Sequence, residues 1–195
     1  VESFEMDNAD LAYGLKEELL LQNIGLQLDS IYYCGRDIRA SIEEFIFKER
    51  SGLELVSTEG CIKADSAFIQ IPKFTMRTTA SSLDLQTKIG WDVLEMKKTG
   101  VLSAKINAEI GKGDVAKILG GRDTLFLQTY PNKPFVFRAD AEGDLKRLRL
   151  RTLEAGLAKA FELKAEGDLL YLTDSTRRGG EINLVAETYD MRFLR

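Results

Sequence analysis

The sequence predicts an all-β fold with one short helical interruption. Three observations carry this reading. Apolar and polar residues alternate with a period of two almost from end to end, turn signals rich in glycine and proline fall between the alternating runs, and helix signals are sparse. A period of two sends successive side chains to opposite faces of a strand, so each run has one dry and one wet face.

Taken in order, Ile24, Leu26 and Leu28 alternate with Gly25 and Gln27. Asp29 and Ser30 break the phase before Ile31 and Tyr33 resume it, which predicts a bulge or bend. Phe45 and Phe47, Leu53 and Leu55 around Glu54, and Ile69 and Ile71 around Gln70 read as half-buried strands. From Ser82 to Trp91 the dry face is Leu83, Leu85, Thr87, Ile89 and Trp91, against Asp84, Gln86, Lys88 and Gly90. Leu102, Ala104, Ile106, Ala108 and Ile110 repeat this, followed by Phe135, Phe137, Ala139 and Ala141, then Phe161, Leu163 and Ala165, and finally Ile182, Leu184 and Ala186. By this criterion the chain holds about a dozen strands. Turns are expected at Ser51-Gly52, Pro131-Asn132-Lys133-Pro134, Glu142-Gly143-Asp144, Glu166-Gly167-Asp168 and Arg178-Gly179-Gly180.

The helical stretch lies near 114–119, with Asp114 placed to cap Val115 to Leu119 and Gly120 suited to the left-handed C-terminal position. Asp10 to Leu21 is compatible with either a helix or an extended segment, since Leu11, Leu15 and Leu19 have helical spacing but Gly14 weakens it. With no linker or low-complexity stretch, residues 1–195 read as one β unit. Gly143-Asp144-Leu145 and Gly167-Asp168-Leu169 form a soft repeat, as expected of a sheet that grows by adding equivalent strands.

Composition narrows the chemistry. Lysine and arginine total 27 against 31 acids, a net charge of −4, so the chain has no general attraction for nucleic acid. Histidine is absent, which removes the commonest general base and the usual zinc ligand. Cys34 and Cys61 are too few for a zinc site and are read as small core residues, with a single bridge open to them in an oxidising compartment. No run of about 18 apolar residues is present to span a bilayer as a helix. A chain that opens on Val1, with no signal peptide, is expected to be a segment of something longer.

No catalytic set emerges. The adjacent pairs Glu17-Glu18 and Glu43-Glu44 point to opposite faces of a strand and so cannot converge on one substrate. Gly111-Lys112-Gly113-Asp114 lacks the spacing and the Ser or Thr of a phosphate-binding loop and reads as a strand-to-helix turn. Thr75, Thr78, Thr79, Ser81 and Ser82 have nothing to activate a nucleophile and read as a strand end rich in hydroxyls. Arg147, Arg149 and Arg151 form a cationic stripe, read as solvated charge, and Trp91 reads as core. No enzymatic activity, cofactor or metal is expected. The dry face must be covered, either by folding onto itself as a filled sandwich or barrel, or by curling incompletely into a trough that accepts acyl chains.

Three strings, in order, are similar to the TamB family of the AsmA-like group in its Bacteroidetes form. The first runs from Arg50-Ser51-Gly52-Leu53-Glu54-Leu55 through Ile71-Pro72-Lys73-Phe74-Thr75-Met76-Arg77-Thr78 to Ser81-Ser82-Leu83-Asp84-Leu85. The second is Tyr130-Pro131-Asn132-Lys133-Pro134 leading into Phe135 to Gly143 and Asp144-Leu145, and the third joins Arg178-Gly179-Gly180-Glu181-Ile182 to Tyr189-Asp190-Met191-Arg192-Phe193-Leu194. The resemblance implies an elongated, curved, antiparallel-rich sheet, a β-taco with a U-shaped groove. It implies an internal, periplasmic segment of a protein anchored in the inner membrane, which carries phospholipid acyl chains toward the outer membrane. It further implies a link to outer-membrane protein assembly and secretion through a barrel assembly partner of the full-length protein. On this reading the groove is lined by Ile24, Leu26, Leu28, Phe45, Phe47, Leu83, Leu85, Ile89, Leu102, Ile106, Phe135, Phe137 and Leu163. The rival expectation is a structural or adhesion β-sandwich module with a filled core and no ligand.

Overall fold

The computed structural model describes residues 3–13, 19–96, 99–120 and 124–190. The strands are β1 (Ser3–Tyr13), β2 (Leu19–Cys34), β3 (Asp37–Glu49), β4 (Glu54–Ala64), β5 (Phe68–Thr78), β6 (Ser82–Gly90), β7 (Leu102–Ile110), β8 (Phe135–Gly143), β9 (Arg147–Leu157), β10 (Phe161–Leu170) and β11 (Gly179–Thr188). All eleven join in one antiparallel sheet whose spatial order is the sequence order. The sheet is elongated, curved and open: β1 and β11 are its two edges and do not pair with each other. At about 4.8 Å per strand, it extends roughly 48 Å across the strands.

The turns lie along two rims. One carries the β3–β4 turn at Ser51-Gly52, the β5–β6 turn and the long connection between β7 and β8. The opposite rim carries the β2–β3, β4–β5 and β8–β9 turns and the connection between β6 and β7. The expected break at Asp29-Ser30 is present: the β2–β3 register shifts between Asp29 and Tyr32, and Ser30 takes a φ of 56°. Asp10 to Tyr13 and Leu19 to Leu21 are extended, which resolves the ambiguous segment for its described residues. The pair Glu17-Glu18 lies outside the described residues.

Among the described residues three helices, not one, interrupt the sheet: α1 (Trp91–Leu94), α2 (Lys112–Ile118) and α3 (Thr124–Thr129). Each has fewer than two full turns, too short for a periodic apolar stripe to show in the sequence. Trp91 therefore starts a helix instead of ending the dry face of β6. Its indole N–H donates to the Asp65 carbonyl at 2.6 Å, and the Arg36 guanidinium stacks 5.2 Å above its ring. Two expected turns are also corrected: Gly179-Gly180 open β11, paired with Leu170 and Leu169, and Gly167 lies inside β10, opposite a register shift in β9. A Cβ there would come within 2.1 Å of the Glu181 carbonyl oxygen, so glycine serves close strand approach and the chain turns only after Leu170.

The surface measures 12815 Å², against roughly 9,300 Å² for a compact monomer of 21.9 kDa. The excess is what a sheet without a second layer must show. Among the described residues one small cluster is fully packed: Tyr130, Leu157 and Ala160 are buried, with Val115, Phe126, Phe135 and Phe161 against them.

Candidate functional site

Register connects the dry faces of individual strands into one surface. Phe4, Leu28, Ile42, Gly60, Phe74, Leu85, Ile106, Ala139, Leu153, Ala165 and Leu184 are successive cross-strand partners, an unbroken row from β1 to β11. Only Gly60 in this row lacks a side chain, and Phe74 fills that space: a Cβ on Gly60 would lie 2.8 Å from the Phe74 ring. A neighbouring row runs Met76, Leu83, Ala108, Phe137, Ala155, Leu163 and Ala186.

The thirteen groove residues expected from the sequence all lie on this face by register. Leu26 is opposite Met6 and Phe45, Phe47 is opposite Leu55, and Ile89 is opposite Ile69 and Leu102. Ile24 is buried beside Ala9, and the other twelve are half-buried. Half-burial is the signature of side chains covered by their neighbours in the sheet but not from above. Phe135 is the exception in setting, since it packs into the cluster beneath α3, its ring 6.3 Å from that of Phe161. Ile42, Phe74, Met76, Leu153 and Leu184 complete the surface. The signal for Phe74 and Met76 was their alternation with Thr75, hidden by the phase break at Pro72-Lys73, where the β5–β6 register shifts.

The opposite face is polar and laced with ion pairs. Arg77 meets Asp84 at 2.8 Å, Arg138 meets Glu154 at 3.3 Å, and Arg147 meets Asp168 at 2.9 Å. Arg151 pairs with Glu142, so the stripe at Arg147, Arg149 and Arg151 is largely charge-compensated. Such exposed pairs contribute little stability each. They do make this face compatible with water while the other is not. A hollow of about 520 Å³ over Gly156, lined by Lys133, Arg138, Glu154 and Lys164, opens on the polar side.

Asp114 has a role other than the expected cap. The α2 N-cap is Gly111, and Asp114 lies inside the first turn, 2% exposed. It accepts hydrogen bonds from the Ser81 hydroxyl at 2.6 Å and from the Thr78 hydroxyl, with the Lys117 ammonium 3.7 Å away. Burial pushes its carboxyl upward, but the Ser81 and Thr78 hydroxyls and Lys117 outweigh it and hold Asp114 below the usual aspartate range. The hydroxyls at 78–81 thus bolt α2 to the β5–β6 turn. Gly111 permits the contact, because a Cβ there would come within 2.2 Å of the Ala80 carbonyl oxygen. The spacing of Asp114 from Ser81 leaves no local sequence signal for this pairing.

Cys34 is exposed at the end of β2, Cys61 is half-buried within β4, and both are free thiols, so neither is a core residue. Among the described residues no group of three or more His, Cys, Asp or Glu could hold a metal ion, and no helix is long and apolar enough to cross a membrane. The geometry defines a class: an open antiparallel sheet with one continuous apolar face, covered at one end by the β7–β8 connection. Comparison with protein-family models, with curated proteins and with solved structures finds no match for this chain.

Proposed function

We propose that this protein carries phospholipid acyl chains along its continuous apolar face. The observation that supports the reading is the row from Phe4 to Leu184, which crosses every strand without a charged residue. Covering apolar surface is favourable by about 25 cal/mol per Å², and a hydrocarbon tail can supply that cover. The contact is nondirectional, so a tail shifted by one strand spacing meets an equivalent surface and moves along it against low barriers. The headgroup stays in water beyond the rim. The resemblance to the TamB family supports reading such a carrier as a periplasmic segment of an inner-membrane-anchored protein that serves outer-membrane assembly beside a barrel partner.

The test is mass spectrometry of lipids extracted from the purified protein, compared among wild type, Leu85→Asp, Phe137→Asp and the outer-face control Gln86→Asp. Phospholipid should accompany wild type and the control and be lost from the first two, with the β-type circular dichroism unchanged in all. A wild-type protein free of lipid, or retention of lipid by both Asp variants, returns the chain to the reading of a rigid spacer or adhesion module.

A further inference from the structure

The hollow on the outer, polar face has no part in the apolar row. Its volume of about 520 Å³ lies within the range of small-molecule sites. It sits in the interior of the sheet, where β8, β9 and β10 are each paired on both sides. Its floor is Gly156, opposite Val136 in β8 and Glu162 in β10, with Pro134 and Ala158 at one end.

The backbone does not require a glycine at this position. Gly143 and Gly167 take positive φ, and a Cβ on either would come within 2.1 Å of a carbonyl oxygen. Gly156 has no positive φ, and its Cβ would meet nothing closer than the Phe161 oxygen at 3.4 Å, an ordinary contact. Glycine inside a strand weakens it and often marks the close approach of a ligand. The side chain left out at 156 is what opens the hollow between Val136 and Glu162.

The walls give the charge of an occupant. Arg138 and Glu154 pair at 3.3 Å and cancel. Lys133 and Lys164 have no hydrogen-bond or ion-pair partner among the described residues, and one further acid, Glu162, stands against the two of them. Lys133 precedes Pro134 at one end of the floor, and Lys164 lies in the cross-strand row of Glu154 and Arg138 at the other. An apolar floor between two uncompensated cations is thus set into a chain whose net charge is −4.

We propose that this hollow binds a small organic anion. A compact apolar body rests on Pro134, Val136 and Gly156, and its carboxylate or phosphate pairs with a lysine ammonium at the end of the floor. The site is on the face opposite the apolar row, so the proposal stands whether or not that row carries lipid.

The probes are phenyl phosphate and phenylacetate, titrated into the whole chain and followed by amide chemical shifts. Inorganic phosphate controls for charge alone and benzyl alcohol for the apolar body alone. At least one organic anion should give saturating shifts at Val136, Gly156 and Glu162 and bind at least about tenfold more tightly than either control; the tighter of the two identifies the anion. Gly156→Val fills the hollow and should abolish these shifts while the protein stays as stable as wild type. Lys133→Gln with Lys164→Gln changes two exposed side chains and should weaken binding by at least about tenfold with the fold intact. Inorganic phosphate binding as tightly as phenyl phosphate, shifts centred on β4–β6, or undiminished binding by either variant would overturn the proposal. Failure of both organic anions to bind wild type would overturn it as well.

Discussion

At one end of the β8–β10 region, the connection between β7 and β8 folds back over the sheet. Val115, Phe126 and Tyr130 cover Leu157, Phe135 and Phe161, leaving Leu157 1% exposed. One strand further on, Leu184 stands on the same face at 61% exposed. Both leucines sit in the same alternating pattern, and only one has a partner above it. The contrast shows that alternation sets which way a side chain points, whereas burial depends on a segment arriving from elsewhere in the chain.

The sharpest test of that contrast is truncation at both positions. Leu157→Ala should cost about 3 kcal/mol by combined transfer and cavity terms, and Leu184→Ala less than about 0.5 kcal/mol, read as midpoints of urea unfolding at constant slope. Comparable losses at both sites would mean that β11 is covered in solution. Next in size is the bolt that holds the insertion over the sealed end. Asp114→Ala removes the acceptor of the Ser81 and Thr78 hydroxyls and should cost about 2 kcal/mol, with faster hydrogen exchange in α2 and around Tyr130 than at the β2–β3 ladder. Uniform loss of protection across the sheet would deny that the insertion is held locally.

The same carboxylate gives a pH dependence. Its pKa is lowered on folding from 3.8, so its contribution is fully present above about pH 4 and is lost as pH falls through the folded value. Acid titration of stability should therefore be shallower in Asp114→Asn than in wild type, and an unchanged acid limb would remove Asp114 from the account. The last expected effect is a gain. Thr58 is 3% exposed, lies opposite Met76 on the apolar face, and its hydroxyl has no hydrogen-bond partner among the described residues. Thr58→Val should stabilise by about 1 kcal/mol, measured by thermal unfolding, because it removes a desolvated polar group from a site that wants a methyl. Destabilisation would mean that the hydroxyl is satisfied in solution.

Much of the sheet was legible residue by residue. The runs at Leu83 to Ile89, Leu102 to Ile110 and Phe135 to Ala141 alternate without interruption, and each is a strand whose partners match pair for pair. The thirteen residues expected to line a groove share a face for the same reason. Where the reading failed, the deciding contact was distant or the element was short. Gly167 looked like a turn because glycine serves both turns and close strand approach, and only the neighbouring Glu181 carbonyl separates the two. α1 and α3 are shorter than the window in which helical periodicity is visible. Ser81 and Thr78 looked like idle hydroxyls because their acceptor, Asp114, lies more than thirty residues away in sequence.

By itself the sequence determined that this chain forms strands, where the longest uninterrupted runs lie, and that each of these has an apolar and a polar side. These follow from a backbone that alternates its side chains and from turn residues acting on their immediate neighbours. Only the tertiary structure decided that eleven dry sides join into one row, that the sheet stays open, that β7 and β8 are joined by a segment covering one end, and that Asp114 anchors it. Pairing register and coverage are set by contacts between residues far apart in the chain, and no local pattern encodes which of the available partners will arrive.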